Sequence, residues 1–326
     1  MPSTSRSASP AVLPLRPVAT TAITGTTAGG SGSTAPARRP GRRLLPAAAA
    51  LTAAVALAAG IAAPAHAAEP GAAAEAADRH GGQLPPIHPE LDFAGSTVAA
   101  HEGRDGGPAP AGTPALAATQ TPGLDVASYQ GNVTWSSVRA NGARFAYVKA
   151  TEGTTYTNPY FAQQYNGSYN AGLVRGAYHF ALPDRSSGTA QANWFVDHGG
   201  GWSRDGKTLP PALDIEYNPY GATCFGLGQS AMVSWIRAFS NTVRSRTGRY
   251  PTIYTTTNWW VTCTGDNASF GATNPLWIAR YASAVGTLPA GWSYQTIWQH
   301  ADSGVFPGDQ NLFNGAFDRI QALANG

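Results

Sequence analysis

The feature that most constrains this chain is an alternation of short β-rich runs and helical patterns that begins at Gly123. The runs are GLDVAS (123–128), FAYVKAT (145–151), VRGAYHFAL (174–182), PPALDIEY (210–217) and YPTIYTT (250–256). Between them, Phe161, Tyr165 and Tyr169 repeat every four residues. Met232, Ile236, Phe239 and Val243 alternate steps of four and three, with Gly248 following as a stop signal. Strand–helix alternation implies parallel strands joined by crossover helices. The alternation then fails. PLWIARY (275–281) and YQTIWQHA (294–301) read as strands, and the gap between them holds Gly286, Pro289 and Gly291. No crossover helix fits that gap, so the late strands are expected to pair through hairpins. The pattern is that of a barrel whose last third lacks helices.

Composition divides the chain in three. Residues 1–121 are rich in Ala, Gly, Pro, Ser and Thr and nearly free of aromatics, whereas Trp, Tyr and Phe are dense from Gly123 onward. Arg38, Arg39, Arg42 and Arg43 precede an Ala/Leu/Val run that closes on Ala65-His66-Ala67, the form of a cleaved signal peptide. Residues 1–67 therefore read as an N-terminal extension and signal peptide ending near Ala67, and the protein is expected to be secreted. Residues 68–121 read as a disordered linker or propeptide, because so little apolar surface cannot offset ordering entropy. Residues 122–326 read as one folded domain, large enough to bury about 70% of its unfolded surface.

The net charge of +3 owes much to six arginines that precede Leu44 with no acid among them. No basic run interleaved with aromatics lies in the folded part, so nucleic-acid binding has no support. Stable membrane association is not expected once the signal peptide is removed, nor is an obligate partner subunit; a monomer is expected. No HExxH or CxxC pattern calls for a metal, and no cofactor is expected. Cys224 and Cys263 form an even pair in a secreted chain, most simply a disulfide.

The stretch LPPALDIEYNP (209–219) places Asp214 and Glu216 either side of Ile215 at the end of an apolar run. A strand has a side-chain period of two, so the acids share one face. They sit at the strand's C-terminal end, and active sites of parallel barrels are built on that face. Two crowded carboxylates cannot both ionise freely, so one pKa rises. The raised one can donate a proton while the other stays charged, as cleavage of a glycosidic bond requires. A spacing of roughly 6.6 Å between the two Cα atoms lies between the retaining and inverting carboxyl separations and leaves the stereochemistry open. A solvated strand end, or an Asp that only caps the turn, would give the same two letters. Against that, Asp125 sits late in the first run and Asp309 follows the last strand signal, in PGDQNLFNG.

The motifs GLDVASYQGNVTW, FAYVKATEGTTYTNPYF, GLVRGAYHFA, ALDIEYNP and YPTIYTTTNWW, in this order and spacing, resemble the glycoside hydrolase family 25 lysozymes, the Chalaropsis-type muramidases. The resemblance covers Gly123 to Asn325. It implies an α/β fold, a (β/α)5(β)3 TIM-like barrel forming a single catalytic domain. It also implies hydrolysis of the β-1,4 bond between N-acetylmuramic acid and N-acetylglucosamine in peptidoglycan glycan strands. On the family pattern Glu216 is the general acid/base, and Asp214 the nucleophile or the carboxylate that orients the substrate's N-acetyl group. Asp125 and Asp309 match two further acids of the groove, and Tyr178 matches a tyrosine near the reacting sugar. Tyr129, His300 and the Arg280-Tyr281 pair depart from the family's usual residues, which bears on substrate preference.

Sugar C–H faces stack on aromatic rings, so Tyr254, Trp259, Trp260, Tyr281 and Trp298, near strand ends, are candidates for the groove or for the core. Tyr254 and Trp298 are taken with Tyr178 as substrate-binding. His179, one step from Tyr178, faces the other way and reads as a core histidine. Lys149 and Glu152 read as an ion pair at the mouth. Chitinase-like sites of the form D-x-x-D-x-D-x-E would need acids where this chain has Leu209 and Ala212. A non-catalytic wall-binding module would be expected to have lost Asp214 or Glu216.

Overall fold

The computed structural model describes His88, residues 90–104 and residues 119–326. The expected 1–67 extension, with its signal peptide ending near Ala67, lies outside the described residues. All described residues belong to one unit, His66–Gly326.

The strands are β1 (Thr121–Val126), β2 (Phe145–Glu152), a two-residue β3 (Tyr156–Thr157), β4 (Val174–Phe180), β5 (Ala212–Asp214), β6 (Thr252–Thr255), β7 (Leu276–Ala279), β8 (Ile297–Ala301) and β9 (Asp309–Phe313). A short helix, α1 (Val98–Glu102), precedes them. Five more separate the strands from β1 to β7: α2 (Trp135–Ala140), α3 (Phe161–Asn170), α4 (Gly188–Asp197), α5 (Gln229–Thr247) and α6 (Thr257–Thr264). The last helix is α7 (Phe317–Asn325). The sheet closes into an eight-stranded barrel through β1, β2, β4, β5, β6, β7, β8 and β9, with β9 pairing back to β1 and β3 attached to β2 as a hairpin. Five strand–helix units followed by three strands make the (β/α)5(β)3 barrel.

Among the eight barrel strands every neighbouring pair from β1 to β8 is parallel; only β9 runs the other way. This corrects the expectation of a hairpin between β7 and β8, while β8 and β9 do pair antiparallel across a short loop. A parallel return needs roughly a dozen residues but not a helix. Residues 280–296 make that return as an irregular loop. Trp292 anchors it, packing edge-on to Trp260 and donating its indole N–H to the Asn274 carbonyl at 2.8 Å.

Alternation along the strands splits the apolar residues into two layers. Phe145, Tyr147, Tyr178, Tyr254, Trp277 and Ile297 fill the barrel interior. Leu213, Ile215, Ile253, Ile278 and Trp298 face the helices. In α5, Met232, Ile236, Phe239 and Val243 are all buried, each contributing about 2 kcal/mol. Gly248 ends that helix in the left-handed region at φ 80°, and its N–H bonds to the Arg244 carbonyl. Ile320 and Ala324 of α7 join the interior layer, where β9 and the chain after it lead away from the mouth. Cys224 and Cys263 form the disulfide, with Cα atoms 5.4 Å apart. It ties the loop after Glu216 to α6.

Residues 90–104 depart from the disorder expected for that stretch. Asp92, Ala94 and Val98 are fully buried against the barrel. Phe93, the only aromatic before Tyr129, stacks on Tyr129 with ring centroids 5.4 Å apart.

Candidate active site

Asp214 ends β5 and Glu216 lies two residues beyond it. The ladder continues past the strand: the Ala181 N–H donates to the Asp214 carbonyl and the Ile215 N–H to the Tyr254 carbonyl, both at 3.0 Å. That pairing preserves the alternation, so Ile215 packs toward the helices and the two acids face the mouth. Asp125, late in β1, stands in register with Asp309, the first residue of β9. Because β9 is antiparallel, its first residue lies at the same end as the last residues of its neighbours. Asp309, expected after the last strand signal, follows β8 and itself opens a further strand, β9.

Gln299 of β8, which sequence reasoning passed over, links these groups. Its amide nitrogen lies 3.0 Å from one oxygen of Asp125 and 3.0 Å from one of Asp309. Its carbonyl accepts from the Tyr254 hydroxyl at 2.7 Å, with the Tyr281 hydroxyl oxygen 3.1 Å away. Asn311 of β9 donates to the same Asp125 oxygen at 2.6 Å. A glutamine two residues after inward-facing Ile297 was the available clue, since a polar residue on the inner face of a short strand needs polar partners. The expected Lys149–Glu152 pair forms at 2.7 Å, and Lys149 is also 3.1 Å from Asp92.

Burial governs the electrostatics. It pushes Glu216 up to about 8, against the opposing pull of donors from Gly95 and Thr97. It pushes Asp125 up to about 7, although Gln299 and Asn311 stabilise its charge. Asp214 rises well above the ordinary carboxylate range, first through burial and then through the charge of Glu216. Asp309 rises likewise through burial, with Asp125 adding to it. Neither Asp214 oxygen has a hydrogen-bond partner among the described residues. Glu216, raised to about 8, holds its proton near pH 7, and a carboxylic acid of that kind can act as a general acid.

Of the sequence candidates, Asp125, Asp214, Glu216, Asp309 and Tyr254 meet at this mouth. Tyr178 projects into the barrel, and its hydroxyl accepts from the Ala94 N–H at 3.3 Å. Trp298 does not join them. It lies on the opposite face of β8 from Gln299, and its indole N–H donates to the Arg280 carbonyl at 2.8 Å. Trp259 and Trp260 are buried in the helix-side core. His179 is a core histidine between Thr151 and Gln191, at 2.8 and 2.9 Å, and burial drives its pKa down to about 3. No cluster of metal-ligating side chains occurs among the described residues.

Residues 92–97 cross the mouth directly over the acids. The Gly95 N–H donates to Glu216 Oε1 at 2.6 Å, and the Thr97 hydroxyl lies 3.4 Å from Oε2. The Gln299 amide donates to the Ala94 carbonyl and the Tyr281 hydroxyl to the Gly95 carbonyl, both at 3.0 Å.

Comparison with known proteins gives a consistent result. The model of the family described as Glycosyl hydrolases family 25 matches residues 124–309. The N,O-diacetylmuramidase of Chalaropsis sp is 50% identical over 208 residues, which is 63% of this chain and 99% of that protein. Lysozyme M1 of Streptomyces globisporus is 49% identical over 208 residues, 62% of this chain and 71% of that protein. The structure of a family GH25 lysozyme from Aspergillus fumigatus is similar with a TM-score of 0.63 and 48% identity, covering 64% of this chain and 100% of that one.

Proposed function

The chain belongs to glycosyl hydrolase family 25 and is a muramidase, a lysozyme that hydrolyses peptidoglycan; from that premise we propose that it cuts the β-1,4 bond between N-acetylmuramic acid and N-acetylglucosamine with Glu216 and Asp214. The observation that carries this reading is the pair of buried acids on one face of the β5 end, with Glu216 raised to about 8. Glu216 protonates the leaving oxygen and then, as a carboxylate, activates the incoming water. Asp214 supplies the negative charge beside the reacting carbon, as nucleophile or by orienting the substrate's N-acetyl group. Asp125 and Asp309, held by Gln299, line the groove with Tyr178 and Tyr254. The name of the Chalaropsis relative supports acceptance of O-acetylated muramic acid. The protein acts outside the cell, a reading that rests on the Arg-rich start and the Ala65-His66-Ala67 cleavage pattern.

The test is release of reducing sugar from purified peptidoglycan by a chain that starts at residue 119. The Aspergillus fumigatus lysozyme, matched over its whole length by 64% of this chain, supports independent folding of that piece. Steady release supports the reading, and a folded protein that releases none counts against it.

A further inference from the structure

We propose that residues 90–104 are an inhibitor carried by the chain itself: they occupy the glycan groove and hold the enzyme inactive until they are displaced. The inference rests on the reading that the mouth holding Asp214 and Glu216 is where the glycan binds. Four observations support it.

The segment engages the reactive groups themselves. The backbone of Ala94 and Gly95 offers two N–H donors, to Tyr178 and Glu216, and two carbonyls, to Gln299 and Tyr281. These are amide groups, the same chemistry that an N-acetyl sugar presents. The segment occupies both oxygens of Glu216: the Gly95 N–H donates to one and the Thr97 hydroxyl lies beside the other, so the acid cannot reach a leaving oxygen while the segment is in place.

The fit is specific to glycine. Gly95 adopts φ 90°, and a Cβ there would fall against the Tyr281 hydroxyl, 2.5 Å from Gln299 Oε1 and 2.9 Å from the Tyr254 hydroxyl. Any other residue there is strained at this φ and must push apart the segment and the Tyr281, Gln299 and Tyr254 side chains that hold it.

The contacts extend beyond the acids on both sides. Asp92, fully buried, pairs with Lys149 at 3.1 Å, and its carbonyl also accepts from that ammonium. Downstream, His101 stacks on Tyr217 with centroids 4.0 Å apart, Glu102 accepts from the Tyr217 hydroxyl at 2.8 Å, and Arg104 pairs with Asp302. The cleft left open beside the segment holds about 260 Å³, below the range of roughly 300–1,000 Å³ for ligand pockets.

The segment is not part of the catalytic fold. It precedes the family match, which begins at residue 124, and its helix α1 adds no strand to the barrel. Attachment to the barrel gives it a local concentration on the order of millimolar. A segment that binds with a Kd of about 10 μM would then leave roughly one barrel in a hundred open. Once cut free and diluted, it would dissociate.

The experiment compares the full chain, the full chain carrying Gly95→Leu, and a chain starting at residue 119. Each is assayed for reducing-sugar release from peptidoglycan. Separately, a synthetic peptide of residues 88–104 and its Gly95→Leu form are titrated into the chain starting at 119 by calorimetry. The expected result is a kcat/KM at least tenfold higher for Gly95→Leu and for the short chain than for the full chain, with the substituted peptide binding at least tenfold more weakly. Equal rates for the three proteins overturn the proposal, whatever the peptide does. If the short chain releases no sugar, the muramidase reading fails instead, and calorimetry alone decides: binding that is lost with Gly95→Leu upholds occupancy of the groove, and no binding at millimolar peptide overturns it.

Discussion

Replacing Glu216 by glutamine should separate catalysis from stability in opposite directions. Burial raises Glu216 from its ordinary 4.5 to about 8, so at pH 7 the folded protein holds a proton there that the unfolded chain has released. At about 1.4 kcal/mol per pH unit, over the two to three units between 4.5 and 7, that difference costs the folded state about 3 kcal/mol. Glutamine is neutral in both states and avoids this cost. Its carbonyl still accepts from the Gly95 N–H. The segment over the mouth can also undock and restore water to Glu216, so the figure is a ceiling. For a domain of this size, Glu216→Gln in the full chain should raise Tm at pH 7 by up to roughly 6–12 °C. In the chain starting at residue 119, the same substitution should lower kcat by at least about a hundredfold, since the amide can neither give nor take the proton. Calorimetry and the reducing-sugar assay check the two halves. Wild-type turnover would refute the catalytic role, and a lowered Tm would refute the electrostatic argument.

Asp214→Asn should also abolish most turnover in the short chain while leaving its circular dichroism unchanged. The raised acids give stability a definite pH dependence: each contributes most below its unfolded pKa near 4, and the contribution is lost as pH rises through about 7 for Asp125 and 8 for Glu216. The full chain should therefore melt at a higher temperature at pH 5.5 than at pH 8.5. The chain starting at 119, with its mouth open to water, should show a smaller difference. Converting both Cys224 and Cys263 to alanine should cost about 4 kcal/mol, measured by denaturant unfolding, because the closed loop spans 39 residues.

The barrel was legible because alternation and helical periodicity reflect burial on both sides of each strand. Met232, Ile236, Phe239 and Val243 all pack as their spacing demands. The acids were legible for the same reason: a period of two puts Asp214 and Glu216 together whatever else surrounds them. The parallel β7–β8 pair was not, because a crossover without a helix leaves no periodicity to read. Trp298 was misjudged on residue type alone; the same alternation, counted from Ile297, directs it away from the acids. The segment at 90–104 was hidden by its composition. Its burial depends on surface supplied by the barrel, and only Phe93 stood out among its neighbours. Gln299 escaped notice because several of its partners, Asp125, Tyr254 and Ala94, are remote in sequence.

The central claim is the bond that is cut. Purified peptidoglycan is digested with the chain starting at residue 119, the new ends are reduced with borohydride, and the reduced sugar is identified by mass spectrometry. Reduced muramic acid is the expected product, and reduced glucosamine would contradict the account.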